Sequence, residues 1–170
     1  MDQEYIKSNL HEWLINFVEQ PNNKLGNWPV CPYARKARLD NKFKIIFNLS
    51  TDFTESFFKS KKLLEEHNDV VIVCFDHSLI SAQYIQQFVN SSNQLLIKEN
   101  IVILEDHPDA PEYVNGICMN FGKCGLLLLQ KLSNLNEASN QLKAKGYYDY
   151  WDDQSYKEVV SWRQVSNFVE

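Results

Sequence analysis

The run DVVIVCF, residues 69–75, constrains the fold more than any other stretch. From Val70 to Phe75 it is unbroken in apolar character, so it has no polar face to turn to water. A strand of this kind must be covered on both faces, inside a sheet with helices above and below. The neighbouring segments can supply that cover. STDFTESFFKSKKLLEEHN has apolar residues at helical spacing behind Ser50, Thr51 or Asp52 as cap. HSLISAQYIQQFVNSS sets Ile80, Tyr84, Ile85, Phe88 and Val89 on one stripe. FKIIFNL, IVIL and CGLLLLQKL are further strand-length apolar runs.

The ends of the chain read as helical. Ile6, Leu10, Trp13, Leu14, Phe17 and Val18 share one helical face, which QPNNKLGNWP then interrupts. Residues 32–39 can make a short helix with Pro32 in its first turn. NLNEASNQLKAKG reads as a helix capped by Asn134 or Asn136 and closed by Gly146. SYKEVVSWRQV forms a last helix. The expected fold class is α/β (or α+β): a single-domain sandwich whose mixed sheet of about four strands is flanked by helices. A ferredoxin-like plait is the alternative. Residues 1–170 are expected to form one globular domain with an N-terminal amphipathic helix.

An apolar fraction of 44% and an aromatic fraction of 13% supply a core for 170 residues. Lys and Arg number 17 against 22 Asp and Glu, a net charge of -5, with no basic block of the kind that grips nucleic acid. The apolar runs are too short to span a bilayer, and MDQEYIKSNLHEW is unlike a secretory leader. The expectation is a cytoplasmic protein with a small-molecule or protein partner, without nucleic acid or membrane. Cys31, Cys74, Cys118 and Cys124 are then reduced thiols.

Two strands end alike, in Asp76-His77 and Asp106-His107. On parallel neighbouring strands both pairs would emerge at the same edge, where open α/β sheets bind ligands. Histidine there can act as acid or base, or hold a metal. Each pair also has a local reading: Asp76 or Ser78 can cap the next helix, and DHPD is ordinary turn chemistry. Cys118 and Cys124 are too far apart in sequence for a zinc knuckle, and Cys74 reads as a small buried hydrophobe. The aromatic YYDYWDD can line a pocket or a partner surface, or cover the open end of the core.

In GNWPVCPYARKAR, residues 26–38, Cys31 stands between Pro29 and Pro32, with Arg35, Lys36 and Arg38 following. A thiol at a helix start near cations has the setting that favours thiolate. It can equally pack under Trp28 and Tyr33.

VCPYARKARL, residues 30–39, resembles the CPF/YAQRxRL segment of omega-type and related glutathione transferases, which are thioredoxin-like. That resemblance implies Cys31 as a thiol forming mixed disulfides with glutathione and Arg35 as its neighbour. HEWLINFVEQPNNKLGNWPVCPYA is similar to the opening of a bacterial domain family of unknown function, with a Trp-containing helix and then a GLNLCPFA-type segment. The later HPDAPEYVNGICMNFGKCGLLLLQ matches that family's HPD element, Asn-containing stretch and apolar run. This resemblance implies that Cys31, His107 and the Asn115–Asn120 stretch form one constellation.

The expected function is a small enzyme with a thiol- or metal-dependent site around Cys31 and His107. In the thiol version Cys31 is the nucleophile, His107 or His77 the base, and Arg35 an aid. In the metal version His77, His107, Asp106 and Cys31 hold a divalent transition metal. The alternative is a non-catalytic binding or accessory protein that uses the aromatic C-terminal region against a partner.

Overall fold

The structure is a computed structural model that describes residues 1–165; residues 166–170 of the expected domain lie outside the described residues. Its centre is a four-stranded mixed sheet of β1 (Phe43–Asn48), β2 (Val70–Phe75), β3 (Ile101–Asp106) and β4 (Gly125–Lys131). The strand order is β1-β2-β4-β3. β1 and β2 are parallel, and β4 runs antiparallel to both β2 and β3. β2 and β3 therefore point the same way without being neighbours, because β4 lies between them. Gly125 stands opposite Phe75 in the ladder, and a Cβ there would lie 2.1 Å from the Phe75 ring. Only glycine lets that ring cross the strand.

The α/β expectation holds, with helices on both faces of the sheet; a plait would keep them on one. α3 (Thr54–Glu65), with Phe53 just before it, and α4 (Ala82–Leu96) cover one face, where Phe53, Leu64, Ile85 and Val89 pack on Val71, Val73, Ile103 and Leu127. α1 (Gln3–Trp13) crosses the other face, setting Ile6 and Leu10 on Ile72, Cys74 and Leu126. β2 is thus buried on both sides, as its composition requires.

Helix boundaries follow local hydrogen bonding more than composition. α1 widens after Trp13 into a π-helical turn, where Glu19 N–H reaches Leu14 C=O. Its stripe is buried at Ile6, Leu10, Leu14 and Val18, whereas Trp13 is half-buried against Phe17 and Phe121. Before α3, Asp52 accepts from the Thr54 N–H and hydroxyl. α4 is capped by Ser81, and Tyr84 on its expected buried stripe is 49% exposed. α2 (Ala34–Leu39) begins two residues later than Pro32. α5 (Leu132–Ala144) begins before either expected asparagine cap; Asn100 accepts from Ser133 N–H instead. Asn136 is inside the helix and accepts from Arg163, a buried guanidinium that also donates to Ser139 and ties the C-terminal helical segment to α5.

Among the described residues no helix is long and apolar enough to cross a membrane.

Candidate functional site

Both Asp-His pairs emerge at the same sheet edge, and their imidazole centroids lie 6.0 Å apart at 83°. His107 is 2% exposed. Its Nε2 is 2.8 Å from the Ile80 carbonyl, and its Nδ1 accepts from the Asp109 N–H at 3.1 Å. These partners require the tautomer protonated on Nε2 and occupy both nitrogens. His107 therefore holds α4's approach to the strand end through both of its ring nitrogens.

Asp106 is similarly committed. Its carboxylate accepts from Asn120 Nδ2 at 2.7 Å and from Phe121 N–H at 2.8 Å. Burial pushes its pKa up, against the downward pull of Phe121, Asn120 and His107. Asn120 also donates to the His107 carbonyl and accepts from Glu112 N–H. Asp106, His107 and Asn120 thus fasten the 107–120 excursion to the end of β3.

His77 is different. It is half-buried and lines a cavity of about 140 Å³ with Asp2, Tyr5, Asp76, Lys123 and Cys124. Asp76 accepts from Ser78 N–H and hydroxyl, which hold its carboxylate below the usual range.

Cys31 lies elsewhere. Its N–H donates to Val18 C=O, and the residue is exposed. Although water reaches the residue, its sulfur is surrounded closely enough by protein that burial pushes the thiol pKa up. The N–H groups of Tyr33 and Ala34 pull it down, and the Glu19 carboxylate adds to the rise. The expected bias toward thiolate is overturned, and the reason is visible in the cations. Arg38 is gripped by Glu19 through paired contacts of 2.6 and 2.8 Å, and Lys36 by Asp40 at 2.6 Å. Arg35 is exposed and is not among the groups acting on the sulfur. Cys31 instead adjoins Tyr147 and Tyr148, whose pKa values are raised first by burial and further by the Cys31 sulfur.

The expected constellation is therefore divided. Asn120 belongs with His107, whereas Asn115 donates to the Lys24 and Tyr150 carbonyls. Cys31 is held through Val18, whereas His107 is held between Ile80 and Asp109. Among the described residues no three His, Cys, Asp or Glu side chains gather to hold a metal ion. The set His77, His107, Asp106 and Cys31 is thus not assembled as a metal centre.

The aromatic C-terminal region is mostly internal. Tyr147 is buried, donates to the Val30 carbonyl at 2.6 Å, and packs on Trp28, Tyr148 and Trp151. Tyr150 and Tyr113 remain 50% and 57% exposed. The Tyr150 ring seats on Gly26, where an added Cβ would lie 2.3 Å from it. Its carbonyl accepts from Asn115, and the Tyr113 carbonyl accepts from the Ser155 hydroxyl. Beneath them Leu25, Val114 and Ile117 form a separate small core that includes Trp151. Glu112, Asp149, Asp152, Asp153 and Glu158 are all exposed along the same chain segments.

Sequence reasoning missed two groupings. Glu112 gathers with Glu105, Asp106 and Glu158, and its pKa is pushed up to about 7 by burial of the carboxyl and by those neighbouring charges. Cys74 and Cys124 meet under α1. The register of β2 against β4 was the missing signal for the thiols. Comparison with known proteins finds no matching family model, no matching curated protein and no matching solved structure.

Proposed function

We propose that the chain is a non-catalytic binding protein that offers Tyr113 and Tyr150, on an acidic rim, to a basic segment of a partner protein. The observation that carries this reading is the pair itself: two tyrosines at least half exposed, each with its backbone fastened. A tyrosine held in place loses little conformational freedom on binding and supplies a large contact area. Its ring face attracts a cation. Asp149, Asp152 and Asp153 add a negative field that draws lysine and arginine and repels phosphate chains. Both nitrogens of His107 are already hydrogen-bonded, which leaves His77 as the base that the enzyme reading would use.

The test is fluorescence anisotropy with labelled peptides of equal length. A basic peptide containing arginine and leucine is expected to bind, and to weaken as salt rises. Its charge-reversed counterpart is expected not to bind. Replacing both Tyr113 and Tyr150 with serine should weaken the basic peptide by roughly tenfold or more. Equal binding of the two peptides, no binding of either, or no effect of the double substitution would refute the reading.

A thiol function at Cys31 is the second reading, supported by the exposure of the residue and set against the upward push of burial and Glu19 on its thiol pKa. It requires Cys31 to outpace Cys118, the other exposed thiol, in alkylation near neutral pH. Equal or slower labelling of Cys31 would dispose of it.

A further inference from the structure

Cys74 and Cys124 occupy the same face of the sheet on adjoining antiparallel strands. Cys74 stands opposite Leu126, and Cys124 immediately precedes Gly125, the first residue of β4. The two cysteines are therefore diagonal neighbours across the ladder. Both belong to the apolar cluster under α1, with Ile6, Leu10, Ile72, Phe121 and Leu126. They are nearly inaccessible, at 0% and 1% exposure. Their situations differ in one respect: Cys124 lines the cavity of about 140 Å³ that also holds Lys123 and His77, and Cys74 does not.

From this geometry we infer that Cys74 and Cys124 are a disulfide-forming pair, with Cys124 as the sulfur that meets a small hydroperoxide entering the cavity and Cys74 as the resolving thiol. Cys124 Sγ attacks the peroxide, breaking the O–O bond and releasing water or an alcohol; the product is a sulfenic acid on Cys124. Cys74 Sγ then attacks that sulfur, forming the S–S bond and expelling the sulfenic oxygen as water. The two thiols are oxidised by two electrons and the peroxide is reduced by two. The thiol protons leave in the released water and alcohol.

Diagonal positions across a ladder are farther apart than a disulfide prefers, so one partner has to shift. Cys124 is suited to this. It lies outside the strand ladder, two residues after Gly122, whose φ of 73° marks a turn in the incoming loop. Cys74 is fixed on both sides by β1 and β4. The neighbouring Cys124 thiol is also the largest influence raising the Cys74 pKa, followed by burial, which fits a Cys74 that stays protonated until its partner has been oxidised.

The experiment uses the full chain with Cys31 and Cys118 replaced by serine, so that the buried pair carries the remaining thiols. The folded protein is treated with hydrogen peroxide, digested without reduction and mapped by mass spectrometry. The expected product is an intramolecular Cys74–Cys124 peptide pair lacking two hydrogens, reversed by a thiol reductant and accompanied by a rise in Tm. Replacing Cys74 with serine should convert Cys124 to sulfinic or sulfonic acid instead. If that variant fails to fold, Cys74→Ala provides the same readout without a buried hydroxyl. Both thiols surviving peroxide, linkage appearing only in denaturant, or linkage only between chains would overturn the inference.

Discussion

The two Asp-His strand ends have the same dipeptide and opposite fates. Asp76-His77 follows a central strand and turns at once into the approach to α4. Its carboxylate is satisfied locally by Ser78, and its imidazole faces a cavity. Asp106-His107 follows the edge strand, and the chain beyond it folds back upon the pair. Its carboxylate is satisfied by Asn120 and Phe121, and its imidazole is enclosed between Ile80 and Asp109. The difference teaches that a histidine at the ligand-binding edge of a sheet is defined by what returns to cover it. The pair that resembles a catalytic element in sequence became a structural knot at one strand end and a cavity wall at the other.

The sharpest way to break this comparison is at the histidines. His107→Ala leaves a cavity and strips partners from the Ile80 carbonyl and the Asp109 N–H. Chemical denaturation should show a loss of about 3 kcal/mol. His77→Ala should stay within about 0.5 kcal/mol, as expected for a residue without a buried hydrogen-bond network. Similar losses at both positions would erase the distinction.

The aspartates should differ by less. Asp106→Ala leaves Asn120 Nδ2 and Phe121 N–H without their acceptor and should cost about 2 kcal/mol, some of the loss being offset by relief of a desolvated charge. Asp76→Ala breaks the Ser78 turn and a 3.8 Å ion pair with the Met1 ammonium, and should cost below about 1 kcal/mol. Equilibrium unfolding of the two variants checks the pair.

The two ends also differ in pH dependence, where their contributions have opposite signs. Glu112 faces Glu105 and Asp106 from β3 and Glu158 from the C-terminal helical segment, and its folded pKa rises from 4.5 to about 7. Between those values the native state binds more protons than the unfolded chain, so this group's contribution makes stability fall as pH rises. Asp76 is lowered from 3.8, so its contribution is present above that value and is lost as pH falls through its lower folded pKa. Glu112→Gln should flatten the dependence of Tm on pH between 4.5 and about 7. An unchanged slope would place the acidic cluster outside the folding equilibrium.

The sheet was legible because β2's apolar run and the amphipathic segments beside it leave few ways to bury them. Cap positions were less so. Asn100 substitutes for an in-helix cap at α5, and Ser81 takes the role expected of Asp76 or Ser78 at α4; both depend on how a loop arrives. The candidate site was hardest to read. Arg38 and Lys36 signalled a positive field around Cys31, yet Glu19 and Asp40 consume them, and Glu19 is brought in by the end of α1. Cys74 and Cys124 are far apart in sequence and became neighbours only through the register of two strands that sequence periodicity does not determine.

The central proposal is that the Tyr113 and Tyr150 surface binds a basic partner. It is tested most directly by titrating the basic peptide into isotopically labelled protein and mapping amide shift changes residue by residue. The account predicts changes concentrated at 112–118 and 149–155, with the amides around His77 and Cys31 unmoved. Changes centred on His77 and Lys123, or on Cys31, would contradict it.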